Sequence, residues 1–342
     1  MRVIVVHEGV HSVDYHRLIV PFAHIGKSFD EIKIFSKNHL EDVTVDFLKQ
    51  QQIDIVVYSR NISATLNPRP IFAMLKAAGV KIVIDIDDYW QLPKHHPNYK
   101  LSIQSGLSRC IEDQIFAADA VITTHGSLRA EIGKIRPTKH VYIAPNGIDP
   151  QEPQFSLENL KYDYENVFWQ GGSTHYHDLK LLEGSFKELI DYKFTLGGYY
   201  DSEIWNNYLK LFNKDNYEYE HITHVDRYAF NYHNKGICVT PLLNNKFNRM
   251  KSELKIIEAG WFQKPVISSM VHPYTRIIKE DVNGLYAKTK DDWKIKIKGL
   301  LSNQQWQDDL RFKLHETVKN NYLINKVNEH RVQCLIDMYA KR

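Results

Sequence analysis

The chain has few cysteines, no long apolar run and almost no net charge. Its three cysteines, Cys110, Cys238 and Cys334, lie far apart in 342 residues. A dispersed, odd set forms neither a disulfide framework nor a zinc spacing, which points to a reducing, cytoplasmic setting. No stretch approaches the roughly 18 apolar residues of a membrane span, so any membrane contact is expected to be peripheral. Met1 to Val6 is too short for a signal peptide. A net charge of +3 is too small to imply nucleic acid as a partner. G-x-G-x-x-G is missing, which removes the dinucleotide fingerprint. His175-x-His177 has no third ligand at a workable spacing.

Two alternating halves are what the sequence does contain. Strand-like runs at Val3–His7, Ile32–Phe35, Ile53–Tyr58, Lys81–Asp88 (an apolar strand running into carboxylates), Ala120–Thr124 and Val141–Ile143 are interleaved with helical spacing. Pro145-Asn146-Gly147-Ile148-Asp149 is a turn. The polar, proline-bearing residues 150–164 read as a linker. The alternation then restarts with Val167–Trp169, Phe194–Gly198, a segment ending near His221, Ile237–Thr240 and Val266–Ile267. This pattern predicts an α/β protein with two parallel-sheet domains facing a cleft. A length of 342 residues agrees with about two domains.

Ligands of such sheets bind beyond the carboxyl ends of the strands. Four places there carry chemistry. Arg60 follows the third strand and suits an anion or a sugar, or a structural ion pair. Asp85-Ile86-Asp87-Asp88 ends the fourth. One reading gives Asp85 and Asp87 a divalent cation on a diphosphate; another makes the aspartates loop caps. His125 ends the fifth strand and is either a ligand contact or a satisfied structural histidine. Gly171-Gly172-Ser173 follows the first strand of the second half, where adjacent glycines let backbone N–H groups approach a phosphate.

The stretch Ile237–Ser269 is the most informative. It predicts a strand ended by Pro241, a helix capped by Asn248 and running through Glu258, a turn at Gly260 to Pro265 and another strand. Lys251 and Glu258 would share one helix face, roughly 10 Å apart. Lys251 would lie in the first turn, where a phosphate is favoured. Glu258, within an apolar stripe, needs a partner or a ligand. The alternative is a solvated lysine and a glutamate bonded to a neighbouring backbone.

These residues resemble the glycosyltransferases of the GT-B fold, in particular retaining family 4 and its close relatives. The match lies in Pro241-Leu242, Phe247-Asn248, Lys251-Ser252, Lys255, Glu258-Ala259-Gly260 and Pro265-Val266-Ile267, supported by Pro145-Asn146-Gly147-x-Asp149 and Asn283-Gly284-Leu285. Relatives carry two glutamates with seven residues between them; Met250 stands at the first position. The resemblance implies two Rossmann-like domains, residues 1–150 for the acceptor and 165–323 for the donor, with a helix in 324–342 crossing back to the first. It implies a sugar moved from a nucleotide-diphosphate donor, with UDP or GDP as carrier, to a glycan or lipid-linked acceptor, with retention and without a metal or other cofactor. Lys251, Asp87 and Arg60 would be catalytic. Gly171, Gly172, Ser173, Asn248, Lys251, Ser252, Leu254 and Glu258 would hold the donor nucleotide. Asp88, His125 and a Tyr-x-Arg-like element, Tyr15-His16-Arg17, would face sugar or acceptor. A nucleotide-sugar-binding protein that has lost the chemistry is the alternative, favoured by Met250.

Overall fold

The computed structural model describes residues 1–9, 12–189, 192–212 and 217–341, and Val10 and His11, in the loop after the first strand, lie outside them. The chain divides into two compact units. One comprises residues 1–147, 250–252 and 324 onward; the other comprises 148–249 and 253–323.

The first unit is built on β1 (Arg2–Val6), β2 (Lys33–Lys37), β3 (Ile55–Ser59), β4 (Lys81–Ile86), β5 (Ala120–Thr123) and β6 (His140–Ile143). All pair in parallel, in the order β2-β1-β3-β4-β5-β6. β3 and β4 are covered on both faces, as their unbroken apolar runs require. The strand order reverses at β1, so loops after β1 and β3 open at a switch point. A wide turn over Tyr15–Ile19 leads into the helix Val20–Ser28, and Pro21 sits in that helix's first turn, where its missing N–H is harmless. The last helix, Ile324–Ala340, closes the core of this unit. Its Val332, Cys334, Leu335 and Met338 pack with Val3, Leu18, Phe22 and Ile55. Tyr142 donates a hydrogen bond to Asp337 at 2.6 Å, and Asn328 donates to the Pro21 carbonyl at 2.9 Å.

The second unit repeats the scheme with β7 (Tyr162–Gln170), β8 (Lys193–Tyr199), β9 (Tyr217–His221), β10 (Lys235–Thr240), β11 (Val266–Ser269) and β12 (Leu285–Ala287). The parallel order is β12-β11-β10-β7-β8-β9, so its switch point lies between β7 and β10. Residues 150–161, expected as a linker, are built into this unit. Gln154 is fully buried, donating to the Val225 carbonyl and accepting from the Ala229 N–H, each at 3.1 Å. Trp261 donates to the Phe155 carbonyl at 2.8 Å. A polar residue that finds two backbone partners sits as well inside as in a loop. Among the described residues no helix is long and apolar enough to cross a membrane.

Candidate functional site

In the first unit the chemistry gathers beyond β3 and β4. Arg60 leaves β3 with φ +54°, the left-handed region that a long side chain rarely enters. Its own N–H is tied to the Asp85 carbonyl at 3.1 Å. The turn aims the guanidinium at Asp87: Nε donates to Oδ1 at 2.9 Å, and Nη2 lies 2.8 Å from the same oxygen and 3.6 Å from Asp88. Lys251 Nζ lies 3.5 Å from the other side of the group, at Asp88 Oδ2. Two cations and two carboxylates thus alternate, all partly open to solvent. Desolvation works against the Asp87 carboxylate, but Arg60 and Arg17 outweigh it and hold its pKa below the ordinary value. Desolvation likewise opposes charge on Arg60, and Asp87 and Asp88 override it, raising its pKa. Burial, then Arg17, lowers the His16 pKa to about 4 against the pull of Asp87, so this imidazole is neutral near pH 7.

Four expected contacts have other employment. Arg17 is 1% exposed, and its Nε and Nη2 donate to the two Asp85 oxygens at 2.9 Å. Its Nη1 donates to the Ala144 carbonyl and to Asn146. It is a buried ion pair, not a sugar or acceptor contact, because Asp85 at the end of a fully covered strand needs a counter-charge. The same pairing occupies the carboxylate that the cation reading of Asp85 and Asp87 required. Tyr15, expected at the sugar or acceptor, is buried and packs edge-on to His16. His125 is fully buried. Its Nδ1 accepts from the Leu128 N–H, capping the helix Gly126–Ile135, so Nε2 carries the proton and donates to the Met250 carbonyl at 3.1 Å.

The predicted helix from Asn248 to Glu258 is two helices, Lys246–Arg249 and Leu254–Trp261. Met250–Ser252 between them groups with the first unit. His125 bonds its first residue, Asp88 pairs with its second, and Asn146 donates to Ser252 Oγ at 2.9 Å. Glu253 turns to Arg276, 3.1 Å away. Lys251 is therefore not in a helical first turn, and it shares no helix face with Glu258. Asn248 is not the cap either: Asn245 Oδ1 accepts the Asn248 N–H, and the Asn248 amide donates to Asp178 and to the Leu243 carbonyl.

In the second unit the chemistry gathers at the switch point. Gly171-Gly172 follows β7 there, and Gly171 has no room for a side chain. A Cβ on it would run into the Trp169 ring and lie 2.9 Å from Lys255 Nζ. The Gly171 N–H donates to the Gly197 carbonyl at 3.2 Å, and Gly198 turns the chain there at φ +95°. Ser173 opens the single turn that follows, and Tyr208 donates to the Gly172 carbonyl. His175 Nδ1 bonds Asp178 at 2.8 Å, while Asp178 also accepts the Leu243 N–H at 2.8 Å. Burial would raise the Asp178 pKa; the His175 and Leu243 bonds and Lys255 lower it overall.

Glu258 is 2% exposed on the helix Leu254–Trp261. Tyr228 and Tyr232 each donate a hydroxyl to one of its oxygens, the latter at 3.0 Å. Burial pushes its pKa up to about 7, against the pull of both tyrosines and of Lys255. Lys255, one helical turn before Glu258, lies over the Trp169 ring at 5.0 Å. In sequence Lys255 shows itself only by its spacing to Glu258. Among the described residues no group of three or more His, Cys, Asp or Glu side chains is arranged to hold a metal ion.

Comparison with known proteins places this architecture. No protein-family model and no curated protein matches the chain in sequence. Solved structures do match. Sucrose-phosphate synthase from Thermosynechococcus elongatus aligns over all of both chains, at 13% identity and a TM-score of 0.73. The fold is GT-B. A glycosyltransferase from Rickettsia africae aligns over 98% of both chains at 13% identity and TM-score 0.69. HepE from Anabaena, solved with UDP, aligns over 98% of this chain and 100% of its own at 12% identity and TM-score 0.64. The chain spans 57% of the length of TarM, which it matches at 14% identity and TM-score 0.62. In GT-B terms, β1–β6 and β7–β12 are the two Rossmann-like sheets.

Proposed function

We propose that the protein is a glycosyltransferase that moves a sugar from a nucleotide-diphosphate donor to a glycan or lipid-linked acceptor. The observation that carries the reading is the glycine turn at the switch point of the second sheet, pressed against the helix of Glu258. Backbone that a ligand can approach with no side chain in the way is what a diphosphate requires, and Gly172, where an added Cβ would meet nothing within 4 Å, offers it. Fold supports the reading: HepE has been solved with UDP and with UDP-glucose. Glu258 then serves the ribose, its tyrosine bonds giving way to hydroxyls of the nucleoside.

The hard part of such a transfer is charge, negative on the departing diphosphate and positive at the sugar carbon. Lys251 is the candidate for stabilising the departing charge, and Asp87 and Arg60 are the candidates for the sugar. Electrostatic stabilisation by a placed donor is worth about 3 kcal/mol. No side chain here identifies itself as a covalent nucleophile. Retention, and the absence of a metal from the mechanism, belong to the same proposal.

Lys251→Ala is expected to lower donor turnover on the order of a hundredfold; unchanged turnover of UDP-, GDP- and ADP-sugars would defeat the mechanism. A second reading, donor binding without chemistry, rests on Met250, which offers the site a backbone carbonyl already bonded to His125 in place of a carboxylate. Calorimetry that finds tight donor binding with no sugar released or transferred would select it.

A further inference from the structure

Beyond Asp88 the first unit carries a helix turned the wrong way out. Tyr89 and Trp90 follow the aspartate, both buried, with their rings 5.0 Å apart. Trp90 donates to Glu112 at 2.9 Å, and its carbonyl accepts from Ser108 at 2.8 Å. The chain is thus anchored before the helix Tyr99–Ser105 and again after Gly106, which ends that helix at φ +68°. On the helix itself the ordinary arrangement, apolar inside and polar outside, is inverted. Ser102 points inward, 4% exposed, with its Oγ 3.5 Å from that of Ser108. Leu101 and Ile103, on either side of it, are 66% and 61% exposed.

Charge around this pair has one sign. From Tyr89 to Ile111 there is no aspartate or glutamate, in a chain where 41 of 342 residues are acidic. Lys94, Lys100 and Arg109 lie in that stretch, all exposed. Asp113, just beyond it, takes Arg109 at 3.1 Å. By the helix period Lys100 stands between Leu101 and Ile103 on the outer side. Two apolar side chains splayed about a cation offer no continuous face to a folded partner. They suit a fluid interface, where hydrocarbon passes between headgroups and an ammonium meets phosphate. The same stretch borders the ion pairs described above: burial lowers the His96 pKa, Lys251 and His95 add to the effect, and Asp88 opposes it.

We propose that the helix Tyr99–Ser105 docks the protein on a membrane of anionic lipids, with Leu101 and Ile103 entering the headgroup layer and Lys94 and Lys100 on the lipid phosphates. The contact does not depend on what the protein transfers. Its consequence, that the acceptor is drawn from the bilayer, rests on the nucleotide-sugar reading above.

The test is co-sedimentation of the whole chain with sucrose-loaded vesicles, either of phosphatidylcholine alone or of phosphatidylcholine mixed with phosphatidylglycerol. The wild type should bind the mixed vesicles and prefer them by about fivefold for each of the two lysines. Lys94→Gln with Lys100→Gln should remove that preference, as should raised salt. Leu101→Gln with Ile103→Gln should weaken binding to the mixed vesicles by about tenfold or more. Leu101→Gln alone gives the same direction should the double variant fold poorly. UDP affinity by calorimetry should be the same in wild type and variants. A wild type that stays in the supernatant, or mixed-vesicle binding undiminished in the Leu101 and Ile103 variants, overturns the proposal and leaves the nucleotide reading standing. Self-association that these variants abolish, without vesicle binding, gives the face to a second copy and overturns it too. Vesicle binding as expected with no UDP bound keeps the docking surface and defeats the nucleotide reading.

Discussion

Glu258 makes stability itself a readout of the proposed donor site. Its carboxyl is buried between two phenols, with a pKa of about 7 in place of the ordinary 4.5. Between those values the unfolded chain has released a proton that the folded chain keeps. Stability from this group is therefore fully present below pH 4.5, falls as pH rises, and is lost above about 7. At 1.36 kcal/mol per pH unit the interval is worth about 3 kcal/mol. Glu258→Gln keeps the shape, can still accept a tyrosine hydroxyl and does not titrate. Urea unfolding of both proteins at pH 5, 6, 7 and 8 should show the glutamine variant near wild type at pH 5. By pH 8 it should have gained roughly 2–3 kcal/mol relative to wild type. A chain of two units can unfold in more than one step, and the comparison belongs to the transition that the substitution moves. Two curves that stay parallel from pH 5 to 8 would refute the argument, because the buried carboxyl would then be titrating as it does in the unfolded chain.

Other consequences are as direct. Asp85→Asn leaves the Arg17 guanidinium buried without its carboxylate, and should cost about 3–5 kcal/mol in chemical denaturation. Gly171→Ala forces a methyl onto the Trp169 ring and Lys255, and should destabilise by roughly 1–3 kcal/mol while weakening UDP binding in calorimetry. Asp87→Asn removes the main partner of Arg60; it should leave nucleotide affinity within about twofold and lower sugar transfer on the order of a hundredfold.

Much of the architecture was legible because it rests on local pattern. Apolar runs such as Ile55–Ser59 and Lys81–Ile86 can be covered only within a parallel sheet, and the loops that follow them must carry the ligands. The glycine turn after β7 was visible for the same reason. What was hidden depends on partners far along the chain. Nothing near Lys251 forbids a helix; the break comes from His125, Asn146 and Asp88, more than a hundred residues away. Arg17 looks like a surface arginine until Asp85, 68 residues on, takes both ends of its fork. Gln154 reads as linker until Val225 and Ala229 supply its bonds. Long-range polar pairing leaves no periodic trace, so spacing alone does not find it.

The helix Ile324–Ala340 has a consequence for how the molecule is made. The unit that holds the earlier sheet cannot seal its interior until residues 332–338 have emerged from the ribosome, since the patch formed by Val3, Leu18, Phe22 and Ile55 waits for Val332, Leu335 and Met338. The later half, by contrast, has nearly all its own parts once residue 323 is out. Birth order and completion order are thus reversed, and during synthesis the early sheet stays an unfinished, sticky surface for as long as the other takes to form.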